Sequence, residues 1–309
     1  MGFLLLFSIV QQLLCGILLA TQYTSDINHS YYSVQYLGRE VYYGWYGHYL
    51  HSSGVSFIFG SLAFHITRGL YVSSYLFRTS LWLSGIALFL LHMMTAFLGY
   101  ILSWGQLSFW GGTVITNLLS MLTTFICGGS MICNPTLKRF FIFHLLLPLI
   151  ISGLSVVHLF YLHYICSSNT LGFYTNNFIT FYPIILFKDI SGLIGLLLGY
   201  TLQIFVSYGM SHPDNILEVN TLITPLHIVP EWYFLHLYMV LKAIPNKTSG
   251  LLIFISISIN LVLLNEVLYI STITVLTSSY NWIYGNLCNV LFIIGTIHLH
   301  FIGGQLISL

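Results

Sequence analysis

Residues 139–164 read RFFIFHLLLPLIISGLSVVHLFYLHY. Beyond Arg139 the run is almost wholly hydrocarbon and aromatic, yet it carries His144 and His158, fourteen residues apart. A stretch this long and apolar reads as a membrane-spanning helix, because ~20 residues at ~1.5 Å each cross the hydrocarbon core. Each residue of a helix turns it by about 100°, so fourteen residues bring a side chain back to within ~40° of the same face, ~21 Å along the axis. Residues 45–72, WYGHYLHSSGVSFIFGSLAFHITRGLYV, repeat the pattern with His51 and His65. An imidazole in lipid is costly without a partner, so all four need a reason to be there.

Composition agrees with a membrane. The 309 residues are 57% hydrophobic, 17% aromatic and only 5% charged, against about 25% charged in soluble domains. Apolar–polar alternation over ~10 residues, the mark of a barrel, is absent, so the spans are helices. The expectation is an all-α membrane protein with about seven transmembrane helices, near 2–20, 45–72, 81–102, 139–164, 190–209, 250–270 and 286–304. The run from Gly2 to Ala20 lacks a basic flank and reads as the first span, not a cleavable signal. Three links are long: 103–138, 165–189 and the most polar one, 210–249. Long links in compact proteins are usually functional. A net charge of +1 argues against a nucleic-acid partner. Cys15, Cys127, Cys133, Cys166 and Cys288 have no metal-ligand spacing and read as packing residues. Arg68, Arg78 and Lys188 fall on one side of the membrane and Arg39, Lys138, Arg139, Lys242 and Lys247 on the other, too even a split to orient the chain.

Two helices facing each other with these histidines form a four-helix-bundle cage for two six-coordinate haems stacked through the membrane. Bis-imidazole iron carries electrons and leaves no position for oxygen. A glycine ladder has the same step: Gly2 and Gly16 on the first span, Gly85 and Gly99 on the third. With no Cβ there, a porphyrin face can press against the backbone. Arg68, one turn beyond His65, is placed to pair with a propionate. Glu231, in Pro230-Glu231-Trp232-Tyr233, stands among apolar and aromatic residues, where a carboxyl becomes a candidate proton acceptor.

That string, with the paired histidines, resembles the mitochondrial cytochrome b family, the core of complex III, in a shortened alveolate-type form. The resemblance runs through Gly99-Tyr100, Trp104-Gly105-Gln106, Ser108-Phe109-Trp110-Gly111 and Thr113-Val114-Ile115-Thr116-Asn117, and through Arg139-Phe140-Phe141 before His144. It extends to Asn134-Pro135-Thr136, Ser211-His212-Pro213-Asp214-Asn215, Ile294-Gly295 and Gly303-Gly304-Gln305.

The resemblance implies a reaction. Ubiquinol is oxidised at one face, one electron passing to a Rieske iron–sulfur protein and the other to a first haem b on His51 and His144. The second haem b, on His65 and His158, passes that electron to ubiquinone at the other face, and proton release and uptake build a gradient. The oxidation site takes Tyr100, Gly111, Ile115, Glu231, Tyr233, Phe234 and Tyr238, with Glu231 accepting the proton. The reduction site takes His163, Ser167, Phe181, Lys188 and Asp189. The expected division is a haem-bearing bundle over 1–209 and a quinol-site loop with the last two spans over 210–309. Expected partners are the Rieske protein, a cytochrome c1-type subunit and other complex III subunits in a homodimer of the mitochondrial inner membrane.

The chain departs from the family in starting almost on the first span and ending just after the seventh, without an amphipathic first helix or an eighth span. Its 121–138 link is short, Ser103 replaces a proline, and His48 stands where an arginine normally meets a propionate. Three other readings fit fewer residues. The photosynthetic relative splits these helices between two chains and spaces its second histidine pair by fifteen. A haem-binding anchor of a quinone-linked dehydrogenase needs no glutamate loop, and a transporter would use the histidines as a proton relay.

Overall fold

The computed structural model describes residues 1–72, 74–118, 123–167, 178–206, 212–244, 246–272, 290–291, 294–299, 301–302 and 304. The named helices are α1 (Gly2–Ala20), α2 (Ser30–Arg39), α3 (Gly44–Tyr71), α4 (Ser74–Phe77), α5 (Thr79–Leu102), α6 (Gln106–Leu118), α7 (Thr123–Cys127), α8 (Asn134–Ile165), α9 (Leu186–Val206), α10 (Leu235–Ala243) and α11 (Lys247–Thr272). Among the described residues there is no strand, only an isolated bridge between Gly105 and Glu218.

Among the described residues, four stretches are both long and apolar enough to cross a bilayer: Gly2–Ala20, Thr79–Leu102, Asn134–Ile165 and Phe181–Phe205. α3 has the length, but its histidines, serines and Arg68 dilute its hydropathy. The expected 250–270 span lies within α11, and most of 286–304 lies outside the described residues. The 103–138 link is not open loop, for it holds α6 and α7. The spans themselves pack by close contact rather than by water exclusion, since lipid is as apolar as leucine.

The chain forms two compact units. The first comprises Met1–Ser61, Leu91–Ser152 and Ile179–Val229; the second comprises Leu62–Leu90, Gly153–Phe178 and Pro230–Leu309. In the first, Ile101, Trp104, Phe109, Cys127 and Leu137 form a closed core where α5, α6, α7 and α8 converge. Trp104 adopts a left-handed φ of 53° and sets its ring edge-on to Phe109 at 5.7 Å. α1 meets α9 where the Tyr200 hydroxyl donates to Ser8 Oγ over 3.2 Å.

A strap, residues 212–223, crosses the start of α6. Asn215 Oδ1 accepts from the Ser108 backbone N–H at 3.0 Å, satisfying one of the amides a helix start leaves open. Asn215 Nδ2 donates to Ser103 Oγ at 3.2 Å. Gln106 Nε2 donates to the Ile223 carbonyl at 3.1 Å, while its Oε1 accepts from the Asn220 N–H at 3.0 Å. Residue 105 has to be glycine, because a Cβ would come within 2.5 Å of Asn215 Oδ1.

In the second unit Leu70, Tyr75, Trp82 and Ile86 pack with Leu261 and Leu264 of α11. Trp82 Nε1 donates to the Leu261 carbonyl at 2.9 Å. Buried Arg78 donates from Nε to the Cys166 carbonyl at 3.2 Å, tying the α5 start to the α8 end.

Candidate functional site

Each fourteen-spaced histidine on α3 meets its counterpart on α8, and each pair lies inside one unit. In the first unit the His51 and His144 rings have centroids 6.2 Å apart and planes at 84°. In the second, His65 and His158 stand 6.4 Å apart at 65°. Two metal–imidazole bonds of about 2 Å, plus roughly 1 Å from each bound nitrogen to its ring centre, require ~6 Å. Both gaps therefore fit one metal ion between two imidazoles, the donor set a low-spin haem needs.

The glycine ladder lies against these rings. A Cβ on Gly16 would meet His51 Cε1 at 2.8 Å, and one on Gly85 would meet His158 Cε1 at 3.2 Å. On Gly99 it would run into His144, at 2.8 Å from Nδ1 and 3.0 Å from Nε2. Imidazole thus stands close to each of these three glycines. Gly2 opens α1 and is exposed.

On each α8 ring one nitrogen is already engaged, which decides what the other can do. His144 Nδ1 lies 2.8 Å from the Thr95 carbonyl oxygen, and His158 Nδ1 lies 2.8 Å from Ser84 Oγ. With Nδ1–H donating, Nε2 keeps the lone pair that ligates metal. His51 and His65 each bury an Nδ1 that has no partner among the described residues. The His51 backbone is held by Gln12, whose Nε2 donates to its carbonyl at 2.9 Å. Arg68 is exposed in the last turn of α3, and His48 is half-buried one turn before His51.

The residues of the expected oxidation site divide between the units. Tyr100, Gly111 and Ile115 are half-buried in the first, with open space where a Gly111 Cβ would stand. Glu231, Tyr233, Phe234 and Tyr238 belong to the second. There Glu231 caps a single 3-10 turn, Trp232–Phe234, that leads into α10. Tyr233 is buried, with its ring 4.8 Å from that of Phe234. Burial pushes the Glu231 carboxyl up to about 7. Burial also raises the Tyr238 phenol, beside which Lys242 Nζ lies 5.9 Å from the ring centre.

The expected reduction-site residues divide likewise. His163, in the last turn of α8, and Ser167, just beyond the helix, are exposed in the second unit. Phe181 and Lys188 are exposed in the first, where Asp189 is half-buried in the first turn of α9.

Sequence reasoning passes over Gln12, Ser84 and Thr95, and takes in Gln106 and Asn215 only within motifs. Gln12 and Ser84 carried a signal, as polar side chains inside apolar spans. Thr95 acts through its carbonyl, which no side-chain pattern reveals.

Comparisons with known proteins converge. A family model described as Cytochrome b/b6/petB matches residues 1–166, and one described as Cytochrome b(C-terminal)/b6/petD matches 218–308. Cytochrome b of Toxoplasma gondii is 50% identical over 277 residues, 88% of this chain and 75% of that protein. Cytochrome b of Plasmodium vivax is 46% identical over 276 residues, 88% of this chain and 72% of that protein. A chain of a hyperthermophilic respiratory Complex III superposes with a TM-score of 0.89 at 27% identity, covering 99% of this chain and 84% of its own.

Proposed function

The chain belongs to the cytochrome b family, and on that premise we propose that it is the quinol-oxidising and quinone-reducing core of a mitochondrial complex III. It is a multi-pass membrane protein of the respiratory electron-transport type. The dehydrogenase-anchor and proton-relay readings give way to this one. The observation that carries it is the twofold one: facing imidazoles with a metal-sized gap, once in each unit.

Haem b bound at these positions supplies one-electron transfer through the membrane. His51 and His144 would hold one haem, His65 and His158 the other. Gly16, Gly99 and Gly85 let the ligand rings lie against α1 and α5. Arg68 would pair with a propionate of the second haem, and His48 occupies the sequence position where the family carries an arginine. Glu231 takes the proton released by ubiquinol; a carboxyl held at about 7 is matched to proton transfer near neutral pH. Tyr100, Gly111, Ile115, Tyr233, Phe234 and Tyr238 shape the oxidation pocket and exclude water from it. At the reduction site His163 and Asp189 hydrogen-bond the quinone carbonyls and deliver protons, with Ser167, Phe181 and Lys188 completing the pocket. Proton release at one site and uptake at the other makes the reaction translocating. The assembly would be a homodimer with a Rieske protein and a cytochrome c1-type subunit in the mitochondrial inner membrane, a location that fits the eukaryotic relatives.

Potentiometric titration of the purified complex, followed by reduced-minus-oxidised spectra, tests the reading. It should resolve two b-type components, and His158→Leu should remove one of them. A single component in the wild type would overturn it.

A further inference from the structure

α5 stands behind both α8 histidines but orients them by different chemistry. His144 Nδ1 faces the Thr95 carbonyl at 2.8 Å, an oxygen that only accepts, so the ring must donate there. His158 Nδ1 faces Ser84 Oγ at 2.8 Å, and a hydroxyl either donates or accepts. The ambiguity is removed one turn back. Ser84 Oγ donates to the Leu81 carbonyl over 2.9 Å, which commits its one proton. The hydroxyl oxygen is then an acceptor toward His158, Nδ1 carries the hydrogen, and Nε2 is left with its lone pair.

We propose that Ser84 is a positioning residue for the second histidine pair. The relay from His158 Nδ1–H to Ser84 Oγ to the Leu81 carbonyl sets the tautomer, the ring orientation and the donor strength of His158 toward haem iron. The inference rests on the bis-histidine reading given above. Its weight comes from where the partner lies. His65, the opposite ligand, buries an Nδ1 with no partner among the described residues, so His158 is the anchored member of the pair. In the first pair the same anchoring is done by main chain, which no substitution removes. Ser84 is half of the contrast that a point change reaches. A hydrogen bond from the outer ring nitrogen raises the basicity of the inner one. A stronger donor favours ferric iron and so lowers the potential. The Leu81 carbonyl also faces the His158 ring, which gives the experiment a definite alternative.

Ser84→Ala and Ser84→Thr are made in the intact complex, and the midpoint potentials of both b components are measured by spectroelectrochemistry. The second haem is identified as the component missing from His158→Leu. Ser84→Ala should raise the potential of that haem alone, and Ser84→Thr, which keeps the hydroxyl, should restore it. Loss of the second haem in Ala with retention in Thr supports the same role. An Ala variant at the wild-type potential would show that Leu81 alone suffices and would overturn the proposal. Equal shifts of both haems, or loss of the second haem in both variants, would mark a packing effect and overturn it as well. A wild-type complex with only one b component would instead refute the underlying bis-histidine assignment.

Discussion

The two histidine pairs share a spacing, a helix pair and nearly the same gap, yet they are enclosed differently. The His51–His144 pair has glycine behind both rings, Gly16 and Gly99, and its α8 ring is anchored on main chain. The His65–His158 pair has Gly85 behind His158 at a looser 3.2 Å, and its anchor is a side chain. The first pocket is therefore rigid because backbone cannot retreat, whereas the second depends on groups that can adjust. Similar ligand geometry can thus conceal unequal tolerance to substitution.

The largest effect should come from Gly99→Ala. Its Cβ would stand 2.8 Å from His144 Nδ1 and 3.0 Å from Nε2, and α5 and α8 are both too long to yield locally. Overpacking of this kind costs about 1–3 kcal/mol or more, and here the ring that must move is a ligand. The expected result is loss of the first haem with retention of the second, read as a halved haem content by pyridine haemochrome. Retention of both would break the contrast between the pockets.

Glu231→Gln comes next and touches neither pair, so both b components should persist while quinol oxidation falls by ~100-fold, the usual scale for a lost proton acceptor. The sign of the pH effect follows from burial. Only the carboxylate accepts a proton, and with the group held at about 7 that form is scarce in acid and abundant in mild alkali. Wild-type turnover should climb through about pH 7, and the Gln variant should lose that limb. A Gln variant that keeps the limb would remove Glu231 from proton transfer.

Gly85→Ala gives a smaller effect and the sharper test of the comparison. At 3.2 Å from His158 Cε1 the neighbour has only a few tenths of an ångström to give. The second haem should stay bound with a displaced potential, where the matching change at Gly99 expels its haem.

Legibility in the sequence followed the range of the interaction. The His51/His65 and His144/His158 steps are local to one helix, so helical arithmetic alone lines them up. The sequence reads helices α6 and α7 as link, since the stretch is rich in Gly, Thr and Ser and α7 is only five residues long. α3 reads as a span by length, while its histidines, serines and Arg68 lower its hydropathy. Ser84 was invisible as an anchor, because its meaning depends on His158, 74 residues away. Asn215 and Gln106 were quoted only as parts of motifs. Their roles come from contacts across 107 to 117 residues that no local pattern encodes.

Those strap contacts, all within the first unit, carry the smallest predicted effect. Asn215 makes two hydrogen bonds to the α5–α6 corner, and Gln106 holds the strap at Asn220 and Ile223. A net hydrogen bond contributes about 1 kcal/mol, and an amide removed from its partners leaves them to water or to nothing. Asn215→Leu should loosen residues 212–223 enough to raise their proteolytic cleavage several-fold and to weaken quinol binding modestly. The strap continues by sequence into Pro230-Glu231, so KM for quinol should rise while both haem potentials stay at their wild-type values. A shift in the first haem's potential would mean that the strap supports the His51–His144 pair as well. The contrast between a pocket held by backbone and one held by side chain would then have to include a third kind of support, from outside the membrane.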